Sequence, residues 1–235
     1  MMTRIILMLF LALLCTSISA PNRQALALPI FRLDSELSSF EYQKFLEHTE
    51  SRLPSYKKYF KKYSDKYDVP WTLIAAVAYQ ESKWNADAVS YTGVKGLMQL
   101  TSKTAEYIGI NDRENPYESI RGGTFYLKYL YEKTPQKLSS NQRWVLALSA
   151  YNIGWGHLKD AIILARKLKK NPYNWDEFRV VLKKLEATKY YSELTYGYAR
   201  GKETVNFVEH VFNYYNLLNH TFNRPSTIAR FTYKK

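Results

Sequence analysis

Glu81 is the acidic residue whose position best suits chemistry. Pro70 and the alanines that follow it favour a helix, which is predicted to continue as far as Trp84. Steps of three and four residues place one set of side chains on a shared face: Ile74, Val77, Glu81 and Trp84. A carboxyl group on an apolar face is costly unless it is protonated or paired. A carboxyl that is neutral near pH 7 can serve as a general acid; the alternative is a structural Glu bonded to backbone groups.

The remaining segments are expected to be helices that hold this carboxyl in place. The predicted helices cover residues 36–67, 70–84, 119–131, 141–151, 157–168, 175–185 and 201–218. Thr101 or Ser102 is expected to cap a further short helix that stops at Gly109. Residues 85–95 are expected to form a loop or a short hairpin. No stretch alternates well enough for a sheet of any size, so the predicted fold class is all-α.

The first twenty residues have the features of a secretory signal peptide. Arg4 supplies the positive charge, and residues 5–14 form an apolar run that is too short for a comfortable membrane span. Residues 17–20 then offer a small-residue cleavage site. We therefore expect export to the periplasm or cell envelope, with a retained N-terminal anchor as the alternative.

Cys15 is the only cysteine of the chain. It follows Leu14, where a lipoprotein signal requires a small residue, so lipidation is not expected. A mature chain that begins near Pro21 would contain no cysteine. It would therefore have neither a disulfide nor a thiolate site.

The formal net charge of +13 indicates a polyanionic partner. Nucleic acid, an anionic membrane surface and an acidic cell-wall polymer all meet that description, and export argues against nucleic acid. Cell-wall or secretion-machinery proteins are further possible partners. The alternative is that the lysine runs at residues 57–62 and 167–170 are solvated helix faces.

Four motifs occur in a fixed order from Glu81 onwards. They are Glu81-Ser82-x-Trp84 with Ser90 and Gly93 behind it, Gly96-Leu97-Met98-Gln99, Ala150-Tyr151-Asn152-x-Gly154, and Tyr196-Gly197-Tyr198-Ala199-Arg200-Gly201-x-Glu203. In this order they resemble the lytic transglycosylases of the soluble-transglycosylase type, glycoside hydrolase family 23, over about residues 55–218. The last motif is most similar to the catalytic domain of the F type of membrane-bound lytic transglycosylase. Any one motif alone would be a weak signal.

The resemblance implies a lysozyme-like helical domain that cleaves peptidoglycan between N-acetylmuramic acid and N-acetylglucosamine without a cofactor. Family members use one Glu as acid and then as base, and Glu81 matches it. The C6 hydroxyl of the muramyl sugar closes onto C1 and gives a 1,6-anhydro end. Most glycosidases need a second carboxylate, and substrate assistance is a known exception. Asp87, the nearest other acid, is expected to be an exposed turn residue.

The resemblance also implies a set of substrate-binding residues. They are Ser90, Met98, Gln99, Tyr151, Asn152 and Tyr198. Ser90 matches a family serine that bonds the N-acetyl group of the sugar, with a turn role as the alternative. Gln99 can bond sugar oxygens through its amide, and Met98 is expected in the wall or the core.

The two later motifs imply roles around the catalytic Glu. Tyr151 is expected beside it, with its hydroxyl facing the cleft, and Asn152 is expected to cap the turn that follows. Tyr198 is expected to line the cleft, and Glu203 is expected to be a structural or supporting acid.

Other chemistries lack their signatures. The four His residues have no metal-ligand spacing, so no metal site is expected, and no Gly-x-Ser-x-Gly or Walker motif occurs. Trp84 and Trp155 are candidates for stacking on a sugar ring because of their neighbours.

The expected organisation has four parts: a signal peptide at 1–20, a leader with a helical extension at 21–54, the catalytic domain at 55–218 and a basic tail at 219–235. Relatives of the F type carry a solute-binding-like domain before the catalytic one, and residues 21–54 are too few for such a domain.

Three alternative functions stay open. They are a hydrolytic muramidase of the same fold, a non-catalytic cell-wall-binding protein, and an accessory enzyme of a phage tail or secretion machinery.

Overall fold

The computed structural model describes residues 37–91 and 93–222. The helices of this part are α1 (Ser39–Ser51), α2 (Leu53–Tyr67), α3 (Trp71–Ser82), α4 (Ser102–Tyr107), α5 (Pro116–Lys133), α6 (Ser140–Ile153), α7 (Trp155–Lys167), α8 (Trp175–Lys184), α9 (Thr188–Tyr191) and α10 (Gly201–Phe222). The only β-pairing in it is two isolated bridges, from Lys95 to Val89 and to Leu100. The all-α prediction is confirmed, and so is the short hairpin near residue 90.

The central element is α3, which α2 and α10 contact. Each residue from Thr72 to Tyr79 is buried. The helix is therefore enclosed on every side, and the apolar face predicted from the spacing is only part of a wholly buried surface. Glu81 lies in the last turn, where α3 reaches the edge of this core.

α3 ends two residues earlier than predicted. Lys83 and Trp84 both adopt left-handed backbone conformations, with φ of 53° and 54°, and such conformations stop a helix. Trp84 consequently turns into the core, where it is 1% exposed and its indole Nε1 donates a 2.8 Å hydrogen bond to the carbonyl of Ala75. The expectation that Trp84 stacks on a sugar ring is wrong, because its ring has no free face.

The helical extension packs directly on this core. The ring of Phe45, on α1, lies 4.8 Å from Tyr79, 5.7 Å from Trp84 and 4.9 Å from Tyr214, measured between centroids. Contacts of this kind bury large apolar surfaces and hold α1 against the C-terminal end of α3. The boundary expected at residue 55 lies inside the first turn of α2.

Several helix ends differ from the predicted ones for local reasons. The single helix predicted before Pro70 is divided at Arg52 into α1 and α2. α6 is capped by Ser139, whose side chain and that of Gln142 form a reciprocal capping box, and not by Asn141. Gly154, at a φ of 90°, separates α6 from α7. The short helix α9 was not predicted.

The signal peptide, the leader before residue 37 and the tail after residue 222 lie outside the described residues. Among the helices of the described ranges, none combines the length and the apolar character that a membrane span requires.

Candidate active site

Glu81 carries the most perturbed carboxyl group of the site. Its side chain is half-buried in the last turn of α3. Burial, and to a lesser degree the negative charge of Glu203, raise its pKa to about 8, although the ammonium of Lys83 acts in the opposite direction. At pH 7 the Glu81 carboxyl is therefore protonated in most molecules. It can donate a proton and later take one back, as a general acid and base requires.

Glu203 lies in the first turn of α10, which begins at Gly201. Its carboxylate is more than half exposed and is 3.3 Å from Nη1 of Arg200. The start of the helix is held by the N–H of Lys202, which donates a 2.7 Å hydrogen bond to Glu186. This arrangement keeps a negative charge close enough to Glu81 to favour its protonated form, and the role of a supporting acid stays a prediction.

Tyr151 lies near the end of α6 and is electrostatically coupled to Glu81. Burial, followed by the charge of Glu81, raises the pKa of the phenol well above its ordinary value, so Tyr151 stays neutral. Its hydroxyl donates a 2.9 Å hydrogen bond to the main-chain carbonyl of Met98. Its ring is parallel to that of Phe207, on α10, at 6.3 Å between centroids. The structure thus places Tyr151 within electrostatic reach of Glu81, and a hydroxyl that faces the cleft stays a prediction.

The loop that contains Met98 is bonded to the surrounding helices. The hydroxyl of Ser82 donates to the carbonyl of Leu97 at 2.8 Å, and the N–H of Met98 donates to the hydroxyl of Ser119 at 3.0 Å. The Met98 side chain is completely buried against Gly123. The assignment of Met98 as a substrate-binding side chain is corrected by this burial, since only its backbone carbonyl contributes to the site.

The Gln99 side chain stabilises the loop itself. It adopts a left-handed conformation with a φ of 47°, and its Nε2 donates to the carbonyls of Ala88, at 3.0 Å, and Gly96, at 2.8 Å. The amide nitrogen that was expected to bond a sugar oxygen is thereby committed to two internal hydrogen bonds. The amide oxygen is the atom of Gln99 that could meet a sugar.

Ser90 forms the turn of the hairpin. Its N–H donates to the carbonyl of Val94 at 2.8 Å, and its hydroxyl accepts from the N–H of Val94 at 2.9 Å. The N–H of Gly93 adds a 2.9 Å bond to the carbonyl of Ser90. The turn role left open by the sequence is therefore present, and a contact with the N-acetyl group stays a prediction.

Asn152 joins two helices. Its Oδ1 accepts a 2.7 Å hydrogen bond from the hydroxyl of Thr204, which lies next to Glu203 on α10. The predicted cap of the turn is not what the structure shows, because the Asn152 side chain reaches across to α10. This bond holds the end of α6, and with it Tyr151, against the start of α10.

Tyr198 is exposed, and its ring meets that of Tyr191 edge-on at 5.7 Å. The segment that carries it is anchored by Asp160, which accepts a 2.7 Å hydrogen bond from the N–H of Tyr196 and is 1% exposed. The sequence analysis did not single out Asp160. It lies four residues before the buried Leu164, so an acid on an apolar face, the signal that pointed to Glu81, would have found it.

Lys83 is a second residue that the sequence analysis did not single out. Burial lowers its pKa to about 8, although the nearby carboxylates of Glu41 and Glu81 favour the charged form. Its Nζ lies 4.8 Å from the ring centroid of Tyr79 and 5.2 Å from that of Tyr214. Lys83 therefore supplies a positive charge beside Glu81 at the junction of α1, α3 and α10.

Within the described ranges, no group of three or more His, Cys, Asp or Glu residues is placed to hold a metal ion. The chemically competent groups of this site are thus the protonated carboxyl of Glu81, the neutral phenol of Tyr151 and the charges of Lys83 and Glu203. Together they can protonate a leaving oxygen and then receive a proton from an attacking hydroxyl.

Comparisons with known proteins identify a family and relatives of this chain. The family model described as transglycosylase SLT domain matches residues 58–174. Membrane-bound lytic murein transglycosylase F of Serratia proteamaculans is 46% identical over 181 residues, which are 76% of this chain and 37% of that protein. Membrane-bound lytic murein transglycosylase F 2 of Alkalilimnicola ehrlichii is 47% identical over 173 residues, 74% of this chain and 38% of that protein.

A solved structure supports the fold alone. The 70 kDa soluble lytic transglycosylase of Escherichia coli is 23% identical and superposes with a TM-score of 0.53, over 71% of this chain and 24% of that chain. This chain spans well under half the length of the curated relatives that it matches. The matched region runs from α2 to the residue before α8 and includes Glu81 and Tyr151. Over these residues, the chain belongs to the transglycosylase SLT domain family.

Proposed function

We propose that this protein is a lytic transglycosylase that cleaves the β-1,4 bond between N-acetylmuramic acid and N-acetylglucosamine in peptidoglycan. The observation that carries the proposal is the carboxyl of Glu81, whose raised pKa of about 8 keeps it protonated at neutral pH beside the phenol of Tyr151. Glu81 donates its proton to the glycosidic oxygen, and the bond from that oxygen to C1 of the muramyl sugar breaks.

The second half of the reaction returns the proton. The C6 hydroxyl of the muramyl sugar forms a bond to C1, and the Glu81 carboxylate takes the proton that this hydroxyl loses. The products are a free 4-hydroxyl on the departing sugar and a 1,6-anhydro ring, with no net uptake of water. A pKa of about 8 suits this step, because the carboxylate readily recovers a proton at neutral pH.

Intramolecular attack is favoured over attack by water. A well-oriented tethered group can have an effective molarity on the order of 10⁵ M, compared with roughly 55 M for bulk water. Asp87, the acid nearest to Glu81 in the sequence, is exposed in the loop after α3. Because the C6 hydroxyl is tethered beside C1, its attack should prevail over that of water, which distinguishes this proposal from a hydrolytic muramidase of the same fold.

The test is mass spectrometry of glycan digested in oxygen-18 water. We expect unlabelled muramyl ends that are lighter than the hydrolytic product by one water and that resist borohydride reduction. The Glu81→Gln variant should release neither product while its melting curve shows a folded protein. Labelled, reducible ends would instead identify a muramidase, and binding without cleavage by the wild-type protein would identify a wall-binding protein.

The place of action is part of the proposal. Peptidoglycan lies outside the inner membrane, and the predicted signal peptide at residues 1–20 would deliver the chain to the periplasm or envelope. The net charge of +13 supports peripheral contact with an anionic membrane or wall surface. Intact-mass measurement of protein from the periplasmic fraction should show a chain that begins near Pro21. A full-length cytoplasmic species would contradict this location.

A further inference from the structure

A pocket of about 240 Å³ opens between α4, α5 and α7 and is not part of the catalytic group described above. Its walls include two lysines and four aromatic side chains: Lys103, Tyr107, Tyr126, Tyr129, Lys133 and Trp155. We propose that this pocket, named the lysine–tyrosine pocket, binds a carboxylate of the peptide stem that the glycan carries. The inference rests on the proposed function and adds a determinant of substrate choice to it.

The cations of the pocket are available to a ligand. Lys133 Nζ is 3.2 Å from the hydroxyl of Tyr129 and lies 4.9 Å and 4.8 Å from the ring centroids of Tyr129 and Trp155. Within residues 37–91 and 93–222, neither Lys133 nor Lys103 is paired with a carboxylate. By contrast, Lys128 on the same helix has Asp68 and Glu132 within salt-bridge distance.

The tyrosines add hydroxyl groups beside the cation. The hydroxyls of Tyr107 and Tyr129 are 2.9 Å apart, and Lys133 donates to the second of them. These contacts lower the pKa of Tyr129, first through Tyr107 and then through Lys133. One phenolic proton is used between the two hydroxyls, so the ammonium and the remaining phenolic O–H are the donors of the pocket, and the partner that completes them is an anionic acceptor.

The pocket adjoins the catalytic residues through one aromatic ring. Tyr126 is in its wall, and the centroid of that ring lies 5.8 Å from the centroid of Tyr151. Tyr151 in turn is coupled electrostatically to Glu81. A substituent of a sugar bound at Glu81 would therefore need to extend past only Tyr151 and Tyr126 to reach Lys133.

The chemistry of the substrate decides what this substituent is. The sugar rings of a stem-bearing glycan are uncharged, whereas its peptide stems end in carboxylates. A sugar ring would need an open aromatic face, but Lys133 already lies over the ring of Trp155. The charge of Lys133 and Lys103 suits the stem carboxylate, and the aromatic walls suit its aliphatic side chains.

The test compares binding to two probes, glycan strands that carry tripeptide stems and the same strands after an amidase has removed the stems, which leaves only the short lactyl carboxylate on each muramyl sugar. All binding is measured in the Glu81→Gln background, so that no cleavage occurs. Adding Lys133→Gln should weaken binding of the stem-bearing strands by about tenfold, the value of one charged hydrogen bond, and should bring the ratio of the two affinities close to one. The loss should shrink as salt is added.

Three further variants complete the test. Lys137→Gln removes the same charge from an exposed residue just after α5 and should leave the ratio as it was. Lys133→Arg keeps a cation and should restore part of the preference for stems. Lys103→Gln should lower the preference in the same direction as Lys133→Gln. Melting curves of all variants establish that the compared proteins are folded.

Two results would overturn the proposal. An equal loss for both kinds of strand would identify the lysine–tyrosine pocket as a site for the sugar chain, and no loss for either would show that it binds no part of the substrate. Failure of the proposed function would look different. Labelled muramyl ends in oxygen-18 water would overturn the transglycosylase reaction and would leave the binding ratios unchanged.

Discussion

The hydroxyl of Tyr151 and the carbonyl of Met98 are joined by a hydrogen bond of 2.9 Å. This bond connects the end of α6 to the loop that follows α3, and the N–H of the same Met98 is bonded to Ser119 on α5. One backbone unit thus receives support from two helices. Because Tyr151 is also coupled to Glu81, the same phenol contributes to the position of the loop and to the environment of the acid.

Tyr151→Phe should weaken both the fold and the reaction. The substitution leaves the Met98 carbonyl without its donor, so the free energy of unfolding should fall by about 1 kcal/mol. The turnover number should fall as well, because the loop beside Glu81 is held less firmly. Denaturant unfolding and steady-state assays check the two effects. Tyr63→Phe removes a phenol on α2, away from this loop, and a similar loss of turnover there would contradict the assignment.

Glu81→Gln should stabilise the protein in a pH-dependent way. The pKa of this carboxyl is about 8 in the fold and near 4.5 without the fold. Between these values the folded protein holds a proton that the unfolded chain has lost, so the stability of the wild type falls as pH rises. Gln does not titrate. The Tm advantage of the variant should therefore grow from pH 5 to pH 8 and then level off.

A flat Tm difference between Glu81→Gln and the wild type across this range would show that Glu81 titrates normally. A suitable control is Asp87→Asn, which alters an exposed carboxyl in the following loop. A comparable rise in this control would show that the effect is not specific to Glu81.

Glu203→Gln should move the basic limb of the pH–activity profile to lower pH. The negative charge of Glu203 raises the pKa of Glu81, so its removal lets Glu81 lose its proton earlier. The catalytic acid is active only when protonated, so kcat/KM should begin to fall at a lower pH than in the wild type. An unchanged limb, together with an unchanged melting curve, would show that Glu203 acts only through packing.

Lys83→Met should move the same limb in the opposite direction. The ammonium of Lys83 favours the Glu81 carboxylate, and without it the pKa of Glu81 should rise. Met has nearly the length of Lys and must adopt the same left-handed backbone at a φ of 53°. Opposite shifts of the basic limb in Glu203→Gln and Lys83→Met would support an effect of charge on Glu81. Shifts in the same direction would instead point to a common structural disturbance.

The sequence predicted the helices well because they depend on local spacing, and the same spacing places Glu81 on an apolar helix face. The capped start of α4 and the glycine break at Gly154 follow from such patterns, whereas the position of Tyr151 beside the acid was implied only by the family resemblance. The sequence did not predict where the side chains of Trp84 and Asn152 point, because this depends on tertiary contacts. Trp84 bonds to Ala75 behind a left-handed turn, and Asn152 accepts a hydrogen bond from Thr204, which lies 52 residues away in the sequence. The motifs that contain Trp84 and Asn152 did not indicate that Ala75 and Thr204 are their hydrogen-bond partners.

Gly123→Ala should lower turnover through Met98. A Cβ atom at Gly123 would overlap the Met98 side chain, which is completely buried and must shift to make room. Overpacking of this kind costs about 1–3 kcal/mol. Because Met98 also bonds to Tyr151 and Ser119, the shift should reach the loop beside Glu81 and reduce kcat more than it changes KM.

The matched control for this variant is Gly109→Ala. Gly109 has a φ of 68°, so alanine is strained there, but its Cβ would meet no atom within 4 Å. The control should lose about 1 kcal/mol of stability through backbone strain alone and should keep its turnover well below Tm. Equal kcat for Gly123→Ala and Gly109→Ala, at matched stability, would show that Met98 does not position the loop for catalysis. A loss of kcat in Gly123→Ala alone would show that Met98 contributes to catalysis through its backbone and buried side chain, without contact with the sugar.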